Sequence, residues 1–230
     1  MEESAKPAVV FDISRSLSRI GRGHPTGIDR VEKAYIQYFL DQPHPVFFLA
    51  RFRRRSALLT REAMRDIFER LNQNGPWDSP VSLIGRRRSV ASKVRKTILR
   101  RSLSHFPLGH VLRAHVPNGF TYINVGHGRI KRGLWQLLRR NGAKTIMVMV
   151  HDLIPIDYPQ FSTVKSRNRF TRWIRMVAEN ADIVIYNSTG TANRMGKLSK
   201  DWSLAPIEGH VVLLGTDPLP NGEVETASPD

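Results

Sequence analysis

The sequence predicts an α/β fold: a Rossmann-like, doubly wound parallel sheet. Two observations carry that expectation. Short apolar runs alternate along the whole chain with segments of helical periodicity, which argues parallel strands covered by helices on both faces. One run, 146–150 (IMVMV), is apolar at every position, as a strand buried on both faces must be. No internal repeat interrupts the pattern.

Residues 8–13 (AVVFDI) read as the first strand. The loop behind it, 14–28, holds Gly21, Gly23 and Gly27 among Arg15, Arg19, Arg22 and His24. A helix starts at Thr26-Gly-Ile-Asp29, which has the form of a capping box, with Thr26 as N-cap and Asp29 reaching back. Ile28, Val31, Tyr35 and Phe39 give that helix an apolar face. A strand, a Gly-rich basic loop and a helix N-terminus together suit an anion, because unsatisfied N–H groups and the helix dipole point into the loop. The spacing is not that of a GxGxxG fingerprint. An ordinary loop whose glycines serve turn geometry fits the same residues.

Residues 45–52 (PVFFLARF) read as a second strand, and 61–71 as a helix with Ala63, Ile67 and Leu71 on one side. Residues 72–80 form a loop by their Asn, Gly and Pro content. The tract 86–101 (RRRSVASKVRKTILRR) contains no acid. Val90, Val94 and Ile98 recur every four residues, which predicts a basic amphipathic helix within 86–104. Arg86, Arg87, Arg88, Lys93, Arg95, Lys96, Arg100 and Arg101 are then candidate contacts to an anionic membrane surface. The alternative is a helix packed on the domain by its stripe, with the charges solvated. Nucleic acid is disfavoured as a partner: the tract has no aromatic residue for base stacking, and no nucleic-acid module is legible.

Residues 121–125 read as a strand ending in Gly126-His127-Gly128, and 134–140 as a short basic helix. The central strand 144–150 then delivers His151 and Asp152, two titratable residues, to the place where a strand should end. Pro155 and Pro159 oppose a simple helical continuation. In open parallel sheets, ligands sit beyond the carboxyl ends of the strands, so this edge is a candidate site. A core strand with a solvated turn explains the same residues. A helix over 167–180 buries Phe170, Ile174 and Val177. Residues 182–186 (DIVIY) form another strand, after which Asn187 and Ser188 lead into a helix over 189–198 that Ser188 can cap. Residues 210–214 (HVVLL) form the last strand. One domain is expected over 1–216, with 217–230 a Pro- and Gly-containing linker.

Composition bounds the function. The chain has 230 residues and 40% hydrophobic content, enough for one large core. Cysteine is absent, which removes disulfides and thiolate metal sites. The first residues show no signal peptide and no run is long enough to span a bilayer, so a cytoplasmic protein is expected. The formal net charge of +16, mostly from Arg, attracts phosphate in a membrane, a polymer or a nucleotide-linked substrate. His151 and Asp152 are adjacent and no ligand cluster surrounds them, so no metal is expected.

Three segments together resemble the N-terminal domain of the GT-B glycosyltransferases, specifically the large retaining family 4. They are Phe11-Asp-Ile-Ser with Thr26-Gly-Ile-Asp-Arg-Val-Glu32; His151-Asp-Leu-Ile-Pro-Ile-Asp-Tyr-Pro159; and Ala181-Asp-Ile-Val-Ile-Tyr-Asn-Ser188 followed by Val212-Leu-Leu-Gly-Thr-Asp217. The resemblance implies a GT-B half-domain that holds the acceptor and faces a donor-binding domain across a cleft. It implies hexosyl transfer from a nucleotide-sugar to a glycan or lipid-linked acceptor, as in polysaccharide biosynthesis. His151 would line the reacting centre and Asp152 would orient it or hold the loop. Gly23 and Gly27 would let backbone approach the donor diphosphate, and Gly126, His127, Asn187 and Ser188 would line the cleft. The family's donor-side glutamate pair has no counterpart before Asp217, so a second chain or segment supplying it is an expected partner. No cofactor is implied beyond the donor itself. Many family members act on membrane-bound acceptors, so a peripheral location on the inner face of the membrane is implied. A non-enzymatic basic module that binds membrane or phosphate-rich polymer is the competing expectation. An inactive, truncated remnant is a third.

Overall fold

A computed structural model describes residues 6–20, 26–52, 55–72, 90–126 and 130–215. Its centre is one seven-stranded sheet: β1 (Val9–Asp12), β2 (Val46–Arg51), β3 (Ser56–Leu59), β4 (Phe120–Asn124), β5 (Ala143–Val150), β6 (Ile183–Tyr186) and β7 (Glu208–Val211), in the order β3-β2-β1-β4-β5-β6-β7. Every pairing is parallel except β2 with β3, where Phe48 faces Leu59 and Arg51 faces Ser56. The fold is therefore α/β and doubly wound, as the alternation predicts. The antiparallel β3 had no counterpart in the sequence reading, because Ser-Ala-Leu-Leu is too short to show a period.

The helices divide between the two faces. α1 (Ser14–Arg19), α2 (Gly27–Leu40), α3 (Arg61–Asn72) and α4 (Val90–Arg100) cover one side, where Phe11, Phe48, Ile67, Val94 and Ile98 share a core. α5 (Leu108–His115), α6 (Arg132–Arg140), α8 (Val164–Asn180) and α9 (Thr189–Asp201) cover the other, around Tyr122, Ile146, Val148, Trp173 and Val184. Alternate residues of one strand feed the two cores: Val10 enters one and Phe11 the other. The strand β5 is buried at Ile146, Val148, Met149 and Val150, which bears out a strand covered on both faces.

Two helices lie where loops were expected: α1 fills part of 14–28, and α7 (Ile154–Asp157) follows β5. α5, which precedes β4, has no counterpart among the elements expected from the sequence. Pro155 does not prevent α7, because it stands in the first turn, where its missing N–H has no partner to lose. A 3-10 turn, Pro159–Phe161, then leads to α8, which begins earlier than its apolar period suggests, because Thr163 caps it by accepting from the Ser166 N–H at 3.2 Å. In α2 the capping box at Thr26 and Asp29 is present. Its buried face carries Val31, Ile36, Phe39 and Leu40 together with the two acids Asp29 and Glu32. In α3 Ile67 is buried as expected, with Met64 and Phe68 rather than the half-buried Ala63; the side chain of Leu71 lies outside the described residues. The last strand falls at Glu208–Val211, short of the predicted apolar run, so Val212, Leu213 and Leu214 stand exposed beyond it.

The basic helix forms, but its apolar stripe faces inward. Val94 and Ile98 are buried in the core beside β3 and α1, and only Val90 is exposed. A helix that immerses itself in a bilayer offers such a stripe to lipid; here the protein core has taken it. Any membrane contact by α4 therefore reduces to its cationic side. Of those cations, Arg95 lies over the Phe52 ring at 5.1 Å and Arg101 pairs with Asp66 at 3.0 Å. Arg100 is exposed and Lys93 and Lys96 are half-buried, while Arg86, Arg87 and Arg88 lie outside the described residues.

Candidate functional site

The sheet order reverses direction between β1 and β4: from β1 the chain passes to β2 on one side, and it returns to β4 on the other. Strands that diverge in this way leave a crevice at their carboxyl ends. The residues gathered there are Asp12 and the start of α1 from β1, Asn124 to Gly126 from β4, and His151 from β5.

His151 ends β5, with 5% of its surface exposed. Its Nε2 lies 2.7 Å from the Val125 carbonyl oxygen. A carbonyl only accepts, so Nε2 carries the proton and donates. Burial pushes the imidazole pKa below its ordinary value, against the Val125 hydrogen bond and the Asp152 charge, which raise it. The ring is neutral at pH 7. From the other side, Thr191 of α9 donates through its hydroxyl to the His151 carbonyl at 3.3 Å. His151 thus joins three elements: β4, β5 and α9. Asp152 is half-buried and accepts from the Ile154 N–H at 3.2 Å, which starts α7. Of the two expected roles for Asp152, this contact is the one that holds the loop.

Gly126 sits where α1 and α2 converge. A Cβ there would lie 2.7 Å from the Arg15 Cβ and 3.0 Å from Glu32 Oε2. Only glycine lets these elements close on the end of β4. Glu32 is fully buried; its Oε2 accepts from the Ser16 N–H at 2.9 Å, while its Oε1 has no hydrogen-bond partner among the described residues. Burial first, and the nearby Asp12 charge second, push its carboxyl up to about 8. Glu32 is therefore a neutral acid at pH 7. The sequence reading passed over it because its place in the helical period marks only a face, and a charged residue is rarely buried.

Asp12 is buried beside it and fully engaged. Arg51 Nε and the Tyr122 hydroxyl both donate to Asp12 Oδ2 at 2.6 Å, and the Ser14 N–H donates to Oδ1 at 2.9 Å. Asn124 donates to the Tyr122 hydroxyl at 3.4 Å, and its own Oδ1 has no partner among the described residues. Asn187, just after β6, likewise has a buried Oδ1 without a partner among the described residues. Ser188 is the N-cap of α9, accepting from the Thr191 N–H at 3.1 Å.

The N-terminus of α2 is occupied by its own residues. The Thr26 N–H and hydroxyl donate to Asp29 Oδ2 at 2.7 and 2.8 Å, while Arg15 and Arg19 pair with the same carboxylate at 2.8 and 3.3 Å. Burial alone would raise the Asp29 pKa, but the Thr26 and Arg15 hydrogen bonds hold it below its usual value. Two of the loop's arginines are thus already matched to a carboxylate. Gly27 opens the helix, and a Cβ there would meet nothing within 4 Å among the described residues. Gly23 and His127 lie outside the described residues. Among the described residues no group of His, Asp and Glu is arranged to hold a metal ion, and no helix is long and apolar enough to cross a membrane.

Comparison with protein-family models, with curated proteins and with solved structures returned no match.

Proposed function

We propose that this domain is the acceptor-side half of a glycosyltransferase that moves a hexosyl group from a nucleotide-sugar to a glycan or lipid-linked acceptor. One observation carries the reading. The segments that motivated it are far apart in sequence, yet Asp12 to Ser14, His151 and Asn187-Ser188 stand at the carboxyl ends of β1, β5 and β6, on the same side of one sheet as the switch point between β1 and β4. In this reading His151 serves as a neutral hydrogen-bonding wall of the reacting centre. Its tether to Val125 fixes the ring, and transfer rests on positioning and on stabilising the departing diphosphate, with no protein nucleophile. Gly126 keeps the floor of the crevice low, and Asp152 holds the loop that follows His151. The donor's sugar and nucleotide would be held mainly by a second domain, and a cytoplasmic location at the membrane's inner face follows from a lipid-linked acceptor.

A second reading has its own support. His151 is buried and hydrogen-bonded to backbone, as a structural histidine would be, and the net charge of +16 suits a basic binding module. A transfer assay separates the two. The chain, alone and with a donor-binding domain supplied, is offered UDP- and GDP-sugars with glycan and lipid-linked acceptors, and released nucleotide is measured. The transferase reading expects acceptor-dependent release that His151→Gln lowers about 100-fold, on the scale of a lost transition-state contact, with the melting temperature little changed. Absence of release in every combination sinks that reading. Binding to polyphosphate that collapses with salt would then favour the module.

A further inference from the structure

Two runs of exposed apolar side chains stand out, one at the end of β7 (Val211 to Leu214) and one on a projection that also carries aromatic rings. Ile154, Tyr158, Phe161 and Val164 all stand in solvent on α7, the turn after it and the first residue of α8. Phe161 is 76% exposed, and its ring lies 6.3 Å from that of Tyr158. Neighbouring α8 buries Trp173, Ile174, Val177 and Ala178. At 100° per residue the opposite side carries Lys165, Asn168, Arg172, Arg175 and Glu179, with Val164 and Arg169 on its flanks. Lys165, Arg169 and Arg172 are exposed, and among the described residues none of them has an ion-pair partner. Acids are scarce nearby. Asp157, the one acid in 154–164, is held by Arg194 at 2.5 Å, and Glu179 is taken by Arg175 at 3.3 Å.

An aromatic and aliphatic tip beside unpaired cations is the composition of a bilayer-interface anchor. Tyrosine suits the headgroup level, with its ring in the apolar layer and its hydroxyl in the polar one. Lys165 and Arg169 rise no more than about 8 Å beyond Val164 along the helix, within the screening length of about 8 Å at physiological salt. We propose that α7, the turn after it and the outward side of α8 dock this protein on the surface of an anionic lipid bilayer. The apolar tip enters the headgroup layer, and Lys165, Arg169 and Arg172 sit on lipid phosphates. This surface differs from α4, whose apolar stripe is spent in the core. It stands without the transferase reading, although it would bring a lipid-borne molecule to the sheet edge that holds His151.

The test is co-sedimentation with phosphatidylcholine vesicles, either pure or carrying about one-third phosphatidylserine, an anionic surface of the kind basic residues recognise. Wild-type protein should bind the mixed vesicles and not the neutral ones. Each cation near such a surface contributes about a fivefold gain, so Lys165→Gln/Arg169→Gln/Arg172→Gln together should weaken binding by about 100-fold. Tyr158→Ser/Phe161→Ser should weaken it by about 10-fold, and Lys93→Gln/Lys96→Gln/Arg100→Gln by less than the α8 triple. Equal binding to both vesicle types, no binding by wild-type protein, or a greater loss from the α4 triple overturns the proposal. A second measurement is independent of affinity. The chain has no cysteine, so Phe161→Cys can carry one environment-sensitive fluorophore. Its emission should shift to the blue on the mixed vesicles, and unshifted emission from sedimented protein overturns the proposal.

Discussion

Arg15 lies against Gly126 so closely that a methyl group on Gly126 would meet the Arg15 Cβ at 2.7 Å and the Glu32 carboxylate oxygen at 3.0 Å. The Arg15 Cβ is anchored to α1 and cannot swing aside as a side-chain end would. Gly126→Ala should therefore cost about 1–3 kcal/mol, the usual penalty of overpacking. A urea melt at fixed pH measures it. A loss below a few tenths of a kcal/mol would mean that α1 is not seated on β4 as described.

Glu32 should make the protein less stable as pH rises. Its folded pKa of about 8 exceeds the ordinary 4.5. Between those values the folded state binds the proton more tightly, so this contribution is complete below 4.5 and is lost as pH climbs through 8. The total is on the order of 4–5 kcal/mol. Glu32→Gln mimics the protonated acid and keeps an acceptor for Ser16. Chemical denaturation from pH 5 to 8.5 should show the variant gaining on wild type at the alkaline end. Parallel curves would show that Glu32 is not a neutral acid at pH 7.

His151 should act in the opposite sense. Its folded pKa lies below the ordinary 6.5, so the unfolded chain binds the proton more tightly. Stability from this group is present above 6.5 and is lost as pH falls toward the folded value. His151→Gln should remove that acid-side loss and can preserve a donor for the Val125 carbonyl. His151→Ala leaves the carbonyl without a partner and should cost about 1–3 kcal/mol at pH 7. The difference between the two variants in thermal melts checks the hydrogen bond.

Arg51 should be intolerant of replacement. Its guanidinium is the cation beside the buried Asp12, with Nε 2.6 Å from Oδ2. Arg51→Met leaves that carboxylate without its counter-charge and should cost about 3–5 kcal/mol. The double variant Asp12→Asn/Arg51→Met should recover part of the loss. A double-mutant cycle showing no coupling would mean that the two charges do not interact.

Ile98→Ala separates a core stripe from a membrane stripe. Ile98 is fully buried, so truncation should cost about 2–5 kcal/mol in aqueous buffer without lipid. An unchanged melt would return the stripe of α4 to the surface.

The sequence alone was sufficient for the layers. Alternating apolar runs and helical periods specified an α/β sheet, because the periods 2 and 3.6 are local and survive without neighbours. The capping box at Thr26 and Asp29 and the cap at Ser188 were legible for the same reason: each is made within one turn. The strand end carrying His151 was legible too, since a buried run cannot continue through His-Asp-Leu-Ile-Pro.

Tertiary structure alone decided which side of each pattern faced inward, and against what. The stripe Val94 and Ile98 has the same period whether lipid or protein covers it; the proximity of β3 and α1 settled that it is core. Glu32 became a neutral acid only because α2 packs over Gly126 and Asp12, which strips water from its carboxyl and sets a like charge beside it. The strand order brought Asp12, Gly126 and His151 to the carboxyl ends of three neighbouring strands although they are far apart along the chain. A sequence records such residues as separate events; burial, and the desolvation that comes with it, made them one polar cluster.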